Sequence, residues 1–336
     1  MPKIEKLMDK VREMDASDLH LTVGIPPTLR IHGKLEHIDH PVLTPEDVEA
    51  LIFEILSDSQ RRRLEADKEL DMSYAYGEKC RFRINVYWQR GNLAAALRLI
   101  PPAVKSAREL GLPPIVEMLA QKPRGFILVT GPTGCGKSTT LAAMISIINK
   151  TRGEHVMTIE DPIEFLHKHE KSMVNQREVG SDTHSFSSAL RHVLRQDPDV
   201  ILVGEMRDLE TISIALTAAE TGHLVLATLH TQDAPSSIER VIDVFPPQQQ
   251  HQIRIQLAGT LQAILAQQLL PARGGGERKV AVEVLMATPA IRNMIRDQKT
   301  HQIMTAMQAG HGAGMQTMDQ ALANLVKMNQ VGYEDA

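Results

Sequence analysis

Residues 125–140 read GFILVTGPTGCGKSTT: a short apolar run, a glycine-rich turn, then a polar stretch that suits a helix. Gly131, four residues, then Gly136, Lys137 and Ser138 is the phosphate-loop spacing, and it works only between a buried strand and a helix start. The glycines let the backbone close around an anion. Loop N–H groups and the positive end of the helix then hold phosphate oxygens. Gly131, Pro132, Thr133, Gly134, Cys135, Gly136, Lys137, Ser138 and Thr139 are therefore the expected nucleotide-contacting positions. Lys137 is expected at the β- and γ-phosphates, and Ser138 at Mg²⁺. The loop marks a nucleoside triphosphate site and leaves open whether the nucleotide is a switch, a substrate or fuel for movement.

The sequence that follows alternates strands with helices. HVMTIE and DVILVG read as strands, MVNQREV as another short one, and LVLATL as a fourth. Between and after them SFSSALRHVLR, DLETISIALTAAET and SSIERVIDVF read as helices. That rhythm predicts a parallel, RecA-like α/β sheet. AILAQQLLP and KVAVEVLMA flank ARGGGER and predict an antiparallel hairpin, and PAIRNMIRD and MQTMDQALANLVKMNQ close the chain as helices.

Ligands of an open parallel sheet sit at the carboxyl ends of its strands. The strand after the loop ends in EDPIEF and delivers Glu160, Asp161 and Glu164 there; the next buried strand ends in GEMRD and delivers Glu205; LVLATL ends at His230. Phosphoryl transfer to water needs a held metal, an aimed water and a spread γ-phosphate charge. Glu205 is the candidate for orienting the waters of Mg²⁺, Glu164 for aligning or deprotonating the attacking water, and His230 for sensing the γ-phosphate. Glu160 and Asp161 suit either the site or its scaffold. His223 begins the strand that His230 follows, and seven extended steps, roughly 23 Å, separate them. His223 belongs to the other end of the sheet, where a subunit contact is its candidate role. Cys135, just before a helix start, is in the position where a thiol pKa falls, which points to oxidation sensitivity.

The first hundred residues are of another kind. Residues 3–14 read as a helix, DLHLTVG and TLRIHGKLEHI as strands turning at Gly33, and TPEDVEALIFEIL as a helix with Thr44 as N-cap and Pro45 at its first position. In CRFRINVYW, Phe82, Ile84, Val86 and Trp88 share one face and Arg81, Arg83, Asn85 and Tyr87 the other: a strand with an apolar back and a basic front. NLAAALRLI follows as its partner. Four prolines between Pro101 and Pro114 predict a linker. The expected organisation is an N-terminal domain over 1–100, a linker over 101–114 and an ATPase domain over 115–336.

Composition narrows the function. A net charge of −4 and 3% aromatic residues argue against a nucleic-acid translocase, which needs a basic track and stacking platforms. The two cysteines, Cys80 and Cys135, form no CxxC pair, so a disulfide framework or zinc knuckle is not expected and reduced thiols fit a cytoplasmic protein. No apolar run approaches the roughly 20 residues of a bilayer span.

GPTGCGKSTT, TIEDPIEF, DPDVILVGEMRDLETI and TGHLVLATLHT resemble the Walker A, Asp-box, Walker B and His-box of the secretion/pilus ATPase superfamily. SDLHLTVGIPPTLRIHGKL and RFRINVYWQRGNLAAALRLIP are similar to its PAS-like domain, and AIRNMIRDQK resembles the AIRNLIRE element of type IV pilus retraction ATPases. Met294, Asp297 and Gln298 depart from that element, and Cys135 stands where Ser is commoner. The resemblance implies a RecA-like P-loop NTPase domain with a smaller PAS-like α+β domain, assembled as a ring hexamer that hydrolyses ATP with Mg²⁺. Arg81, Arg83 and Arg98 of one copy would reach nucleotide held by another. It also implies work at the cytoplasmic face of the inner membrane, against the pilus platform protein, with pilus retraction and twitching as the output. An accessory retraction ATPase, or a nucleotide-switched scaffold with little turnover, are the alternatives. Pilus-assembly and type II secretion ATPases carry a tetracysteine zinc element that two separate cysteines cannot build.

Overall fold

The computed structural model describes residues 3–31, 33–77, 80–100, 104–275 and 278–336. Residues 101–103 of the expected linker lie outside the described residues. The chain divides into two compact units, Met1–Ala103 and Val104–Ala336.

The first unit runs α1 (Ile4–Glu13), β1 (Asp18–Leu21), β2 (Thr28–Ile31), β3 (Lys34–His37), α2 (Pro45–Phe53), α3 (Asp58–Asp67), β4 (Glu69–Tyr76), β5 (Cys80–Gln89) and β6 (Asn92–Ile100). Its described strands form an antiparallel sheet in the order β3-β2-β1-β6-β5-β4. Strand alternation decides what is buried. Leu19, Leu29, Phe82, Ile84, Val86 and Leu97 join Leu7, Met8, Val48 and Ile52 of the helices in one hydrophobic cluster. The helix α2 starts as its sequence dictates: Thr44 Oγ1 accepts from the Asp47 N–H at 3.2 Å, and the Asp47 carboxylate accepts from the Thr44 N–H at 3.0 Å. Trp88, on the same face of β5 as Phe82, Ile84 and Val86 by alternation, is not buried with them. It lies near the end of β5, 37% exposed, with the Lys68 amine 5.0 Å from its ring centre. The helix α3 and strand β4 had no sequence expectation.

The second unit runs α4 (Ile115–Ala120), β7 (Gly125–Thr130), α5 (Lys137–Thr151), β8 (His155–Glu160), β9 (Met173–Glu178), α6 (Phe186–Val193), β10 (Val200–Val203), α7 (Leu209–Glu220), β11 (Leu224–Leu229), α8 (Ala234–Asp243), α9 (Pro247–Thr260), β12 (Leu261–Pro271), β13 (Arg278–Met286), α10 (Pro289–Arg296), α11 (Ile303–Ala309) and α12 (Met318–Lys327). Residues 104–114, expected as linker, count with this unit, and Ala107 and Leu112 are buried in its core.

Its sheet has the order β13-β12-β7-β11-β10-β8-β9. Every described neighbour pair is parallel except β12 with β13. The expected parallel sheet is thus a mixed one, because the C-terminal hairpin does not stand apart: β12 lies against β7 and extends the sheet. Alternate residues feed two cores. Phe126, Leu128, Ile201, Val203, Val225 and Ala227 pack on one face, and Ile127, Val129, Val200, Leu202, Leu224 and Leu226 on the other. Burial on both faces explains why these strands read as unbroken apolar runs. Among the described residues no helix is long and apolar enough to cross a membrane.

Candidate functional site

The strands β7, β11, β10 and β8 are adjacent and parallel, so their carboxyl ends emerge on one edge of the sheet. The register is close: Thr130 pairs with Leu229, and Val203 with both Ala227 and Ile159. Gly131, Glu160, Gly204 and His230 therefore leave the sheet at nearly the same level.

The loop has the backbone that the motif demands. Gly131, Gly134 and Gly136 have φ of 139°, 78° and 90°. At Gly131 shape forbids a side chain as well. A Cβ there would stand 2.4 Å from the Gln267 carbonyl oxygen of β12. The Lys137 side chain is buried and its amine donates to the carbonyls of Gly131 at 2.8 Å and Pro132 at 3.0 Å. Pro132, Thr133 and Gly134 are exposed at the crest of the loop, and Ser138 and Thr139 are partly buried at the start of α5. Cys135 is 3% exposed, and burial pushes its thiol above the ordinary value despite the nearby Lys137 charge. The acidic, oxidation-prone thiol expected from the helix start is thereby corrected.

Beside the loop lies a cavity of about 450 Å³, lined by Cys135, Gly136, Thr139 and Thr140 on one side and by Gln267, Leu269 and Val280 of the hairpin on another. Lys105, Arg108 and Arg278 add positive charge to its wall. Gln267 is 1% exposed, and its Oε1 has no hydrogen-bond partner among the described residues. The cavity's contribution from β12 and β13 had no expectation in the sequence, since nothing local to the loop signals a strand 130 residues away.

Two of the three expected catalytic side chains meet. His230 Nε2 lies 2.9 Å from Glu205 Oε1. Arg207, which sequence reasoning passed over although it stands two residues on in GEMRD, brings Nε within 2.5 Å of the same oxygen. Burial opposes ionisation of Glu205, but the hydrogen bond and charge of Arg207, then of His230, outweigh it and hold the carboxyl below its ordinary value. Gly204 permits this placement: its N–H donates to the Ile159 carbonyl at 2.8 Å, and a Cβ would stand 3.1 Å from that oxygen.

Glu164 is exposed and is tied to Glu160, not to Glu205. Its backbone N–H reaches the Glu160 carboxyl. Glu160 also accepts from Thr158 Oγ1 at 2.6 Å and Gln176 Nε2 at 3.1 Å. Burial pushes Glu160 above the ordinary glutamate value. Between them the Asp161–Pro162 peptide is cis, and the Ile163 N–H donates to Glu178 Oε2 at 3.1 Å. Glu160 is thus the scaffold of the turn that carries Glu164. His223 closes the turn before β11, with Nδ1 2.9 Å from the Ala218 carbonyl, at the opposite end of the strand from His230.

Among the described residues no three His, Cys, Asp or Glu side chains converge on one metal-binding point. The Ser138 hydroxyl and the Glu205 carboxylate are hard oxygen donors. Such a set suits Mg²⁺, which keeps several waters and takes other oxygens from phosphate.

In the first unit the expected arginines stand together on the polar face of the sheet. Arg83 pairs with Arg98 across β5 and β6, and Asp18 pairs with both Arg98 and Arg30 across β6, β1 and β2. Asp18 neutralises part of this row: Arg98 Nε donates to its Oδ1 at 2.8 Å. Arg81 donates to Ser73 Oγ. Arg83 is exposed.

The fold and the loop define a P-loop nucleotide-binding protein. The family model for type II/IV secretion system proteins matches residues 1–285, and the chain belongs to that family. It is 48% identical over 333 residues to the type IV pilus retraction ATPase PilT of Pseudomonas aeruginosa, covering 99% of this chain and 96% of that one. It is 47% identical over 310 residues to a twitching motility protein of Neisseria gonorrhoeae, covering 92% of this chain and 83% of that one. A crystal structure of the pilus retraction motor PilT with bound ADP superposes with a TM-score of 0.94 at 50% identity, over 100% of this chain and 96% of that one.

Proposed function

We propose that the chain is an ATP hydrolase whose turnover powers retraction of type IV pili. The observation that carries this is the Glu205–His230 pair set on the same sheet edge as a complete phosphate loop. Likeness over nearly the whole length to a pilus retraction ATPase supports the output. The type IV pilus ATPase PilU of Pseudomonas aeruginosa is also similar, at 40% identity, but PilT is nearer at 48%.

Each residue then has a task. Loop N–H groups and the start of α5 hold the phosphates. The Lys137 amine, bonded to the Gly131 and Pro132 carbonyls, has acceptors of the same kind to exchange for β- and γ-phosphate oxygens. The cavity beside Thr139 and Gln267 takes the base, a fit in size for part of a nucleotide. Mg²⁺, held by Ser138 Oγ with Glu205 orienting its waters, would neutralise charge on the phosphates. Glu164 aims the attacking water. His230, on the Glu205 carboxylate, reports whether the γ-phosphate is present.

The working assembly is a ring of six copies, in which Arg81, Arg83 and Arg98 of one copy complete the site of the next. Arginines supplied in this way are worth about 10³–10⁵ in rate. The ring acts in the cytoplasm against the platform protein at the pilus base. Steady-state hydrolysis with Mg²⁺ by the purified full-length protein tests the reading. Turnover that falls on Glu164→Gln supports it. Equal, slow rates for both would favour a nucleotide-switched scaffold. In a piliated host, deletion is expected to abolish twitching and leave pili in place; loss of the pili themselves would point to assembly.

A further inference from the structure

We infer that Glu283 is a positioning residue for the His230–Glu205 pair. This inference rests on the catalytic reading of His230. Glu283 is on β13, 1% exposed, and far in sequence from every motif of the nucleotide site. In the sheet it is close to them. Glu283 pairs with Ala266, Ala266 with Thr130, and Thr130 with Leu229, so one row crosses from the hairpin to the end of the loop strand and on to the residue before His230.

The helix α8 lies over that row and is fixed to it twice. The Ala234 N–H donates to Glu283 Oε1 at 2.8 Å. Ser237, 0% exposed, brings its Oγ within 2.6 Å of Thr231 Oγ1 and 3.4 Å of Thr130 Oγ1. The segment His230–Thr231–Gln232–Asp233 is thus strung between Leu229, held in the sheet, and Ala234, held by Glu283. Only four residues lie between these anchors, so His230 has little room to drift from Glu205.

Capping chemistry explains why a carboxylate does this. Asp233 serves the N–H at the third position of α8, accepting from Ser236 at 2.7 Å, and leaves the N–H at the first position to Glu283. At α12 the division is the same: Thr317 accepts from Gln320 at 3.3 Å, while Glu283 Oε2 accepts from Met318 at 3.3 Å. One buried anion therefore satisfies the first donor of two helices at their positive ends. Burial, with Asp233 and Asp319 nearby, pushes Glu283 above its ordinary pKa, so its place is held against a desolvation cost.

The test compares full-length wild type, Glu283→Gln, Ala234→Pro and His230→Ala, each alone, and the first two again with His230→Ala. Glutamine keeps the shape but offers one acceptor oxygen in place of two. Proline at the first helical position removes the Ala234 donor and keeps a helical φ. Ala234 is 0% exposed and its N–H points at Glu283, so the melting temperature shows whether the proline ring is accommodated. Melting temperature, ADP affinity, kcat and KM are measured for each. Expected is a fall in kcat of about tenfold or more in Glu283→Gln and Ala234→Pro, with ADP affinity within about twofold of wild type. In the His230→Ala background the further loss should be under about twofold, because the effect passes through that residue. Unchanged kcat in either folded variant, or a loss that multiplies fully with His230→Ala, would overturn the inference. So would failure of both single variants to fold, which would make the carboxylate a folding element alone. Full turnover by His230→Ala itself would instead sink the catalytic reading of His230.

Discussion

The imidazole of His230 and the carboxylate of Glu205 stand 2.9 Å apart, although 25 residues of chain and the whole of α7 separate them. Parallel β10 and β11 bring them there, and Arg207 holds the same carboxylate oxygen. Glu205 has its ordinary value of 4.5 lowered in the fold, once burial has been offset by Arg207 and His230. A depressed carboxylate pKa adds stability above the unfolded value, and that stability is lost as pH falls through the folded one. The stability gap between wild type and Glu205→Gln should be full at neutral pH and close in acid below 4.5. Denaturant midpoints across pH check this; a gap that widened in acid would contradict it.

Gly131 and Gly134 both have positive φ, but only Gly131 faces backbone across a Cβ's width. Gly131→Ala is expected to cost more than the roughly 1–2 kcal/mol of a left-handed alanine, because the Gln267 carbonyl must also move. Gly134→Ala, with open space around it, should stay near that range. Urea midpoints of the two variants settle the order, and equal losses would count against the loop geometry.

Arg83 is exposed on the sheet's polar face. Arg83→Ala should change folding stability by no more than about 0.5 kcal/mol, the usual range for a surface site. In the assembled ring it should nonetheless slow hydrolysis. Mixing it with Lys137→Ala subunits should recover part of the rate, since some interfaces then combine an intact loop with an intact arginine. No recovery in mixed rings that still assemble would put the shared site in doubt.

Cys135 has its thiol raised by burial, so thiol reagents at neutral pH should react with the folded protein slowly at this position and leave ATP turnover intact. Mass-spectrometric labelling of native and urea-unfolded protein gives the comparison. Fast native labelling of Cys135 would contradict the structure.

These cases show which parts of the molecule its sequence makes legible. The loop and the four strand ends could be read because phosphate loops and fully buried strands leave short, local signatures. The helix α9 could not: its start, PQQQHQIRIQ, is polar, and one of its buried positions is Arg254, made tolerable by Glu239 of α8 at 3.2 Å. Apolar periodicity cannot register a buried charge whose partner lies elsewhere. Glu164 and Glu160 look alike in TIEDPIEF, yet burial and Thr158 make one the scaffold while the other is exposed. Cys135 misled because its local position suggested an acidic thiol, whereas its burial depends on tertiary packing of the loop.

The central claim is that the groups at 205 and 230 act on a triphosphate held by the loop. Rapid-mix single-turnover hydrolysis of ATP by full-length wild type and Glu205→Gln, with nucleotide affinity measured on the same samples, tests it most directly. The account predicts that Glu205→Gln binds ATP within a few-fold of wild type but cleaves it about a hundredfold or more slowly, as loss of a transition-state contact requires. Cleavage at the wild-type rate by the folded variant would contradict it.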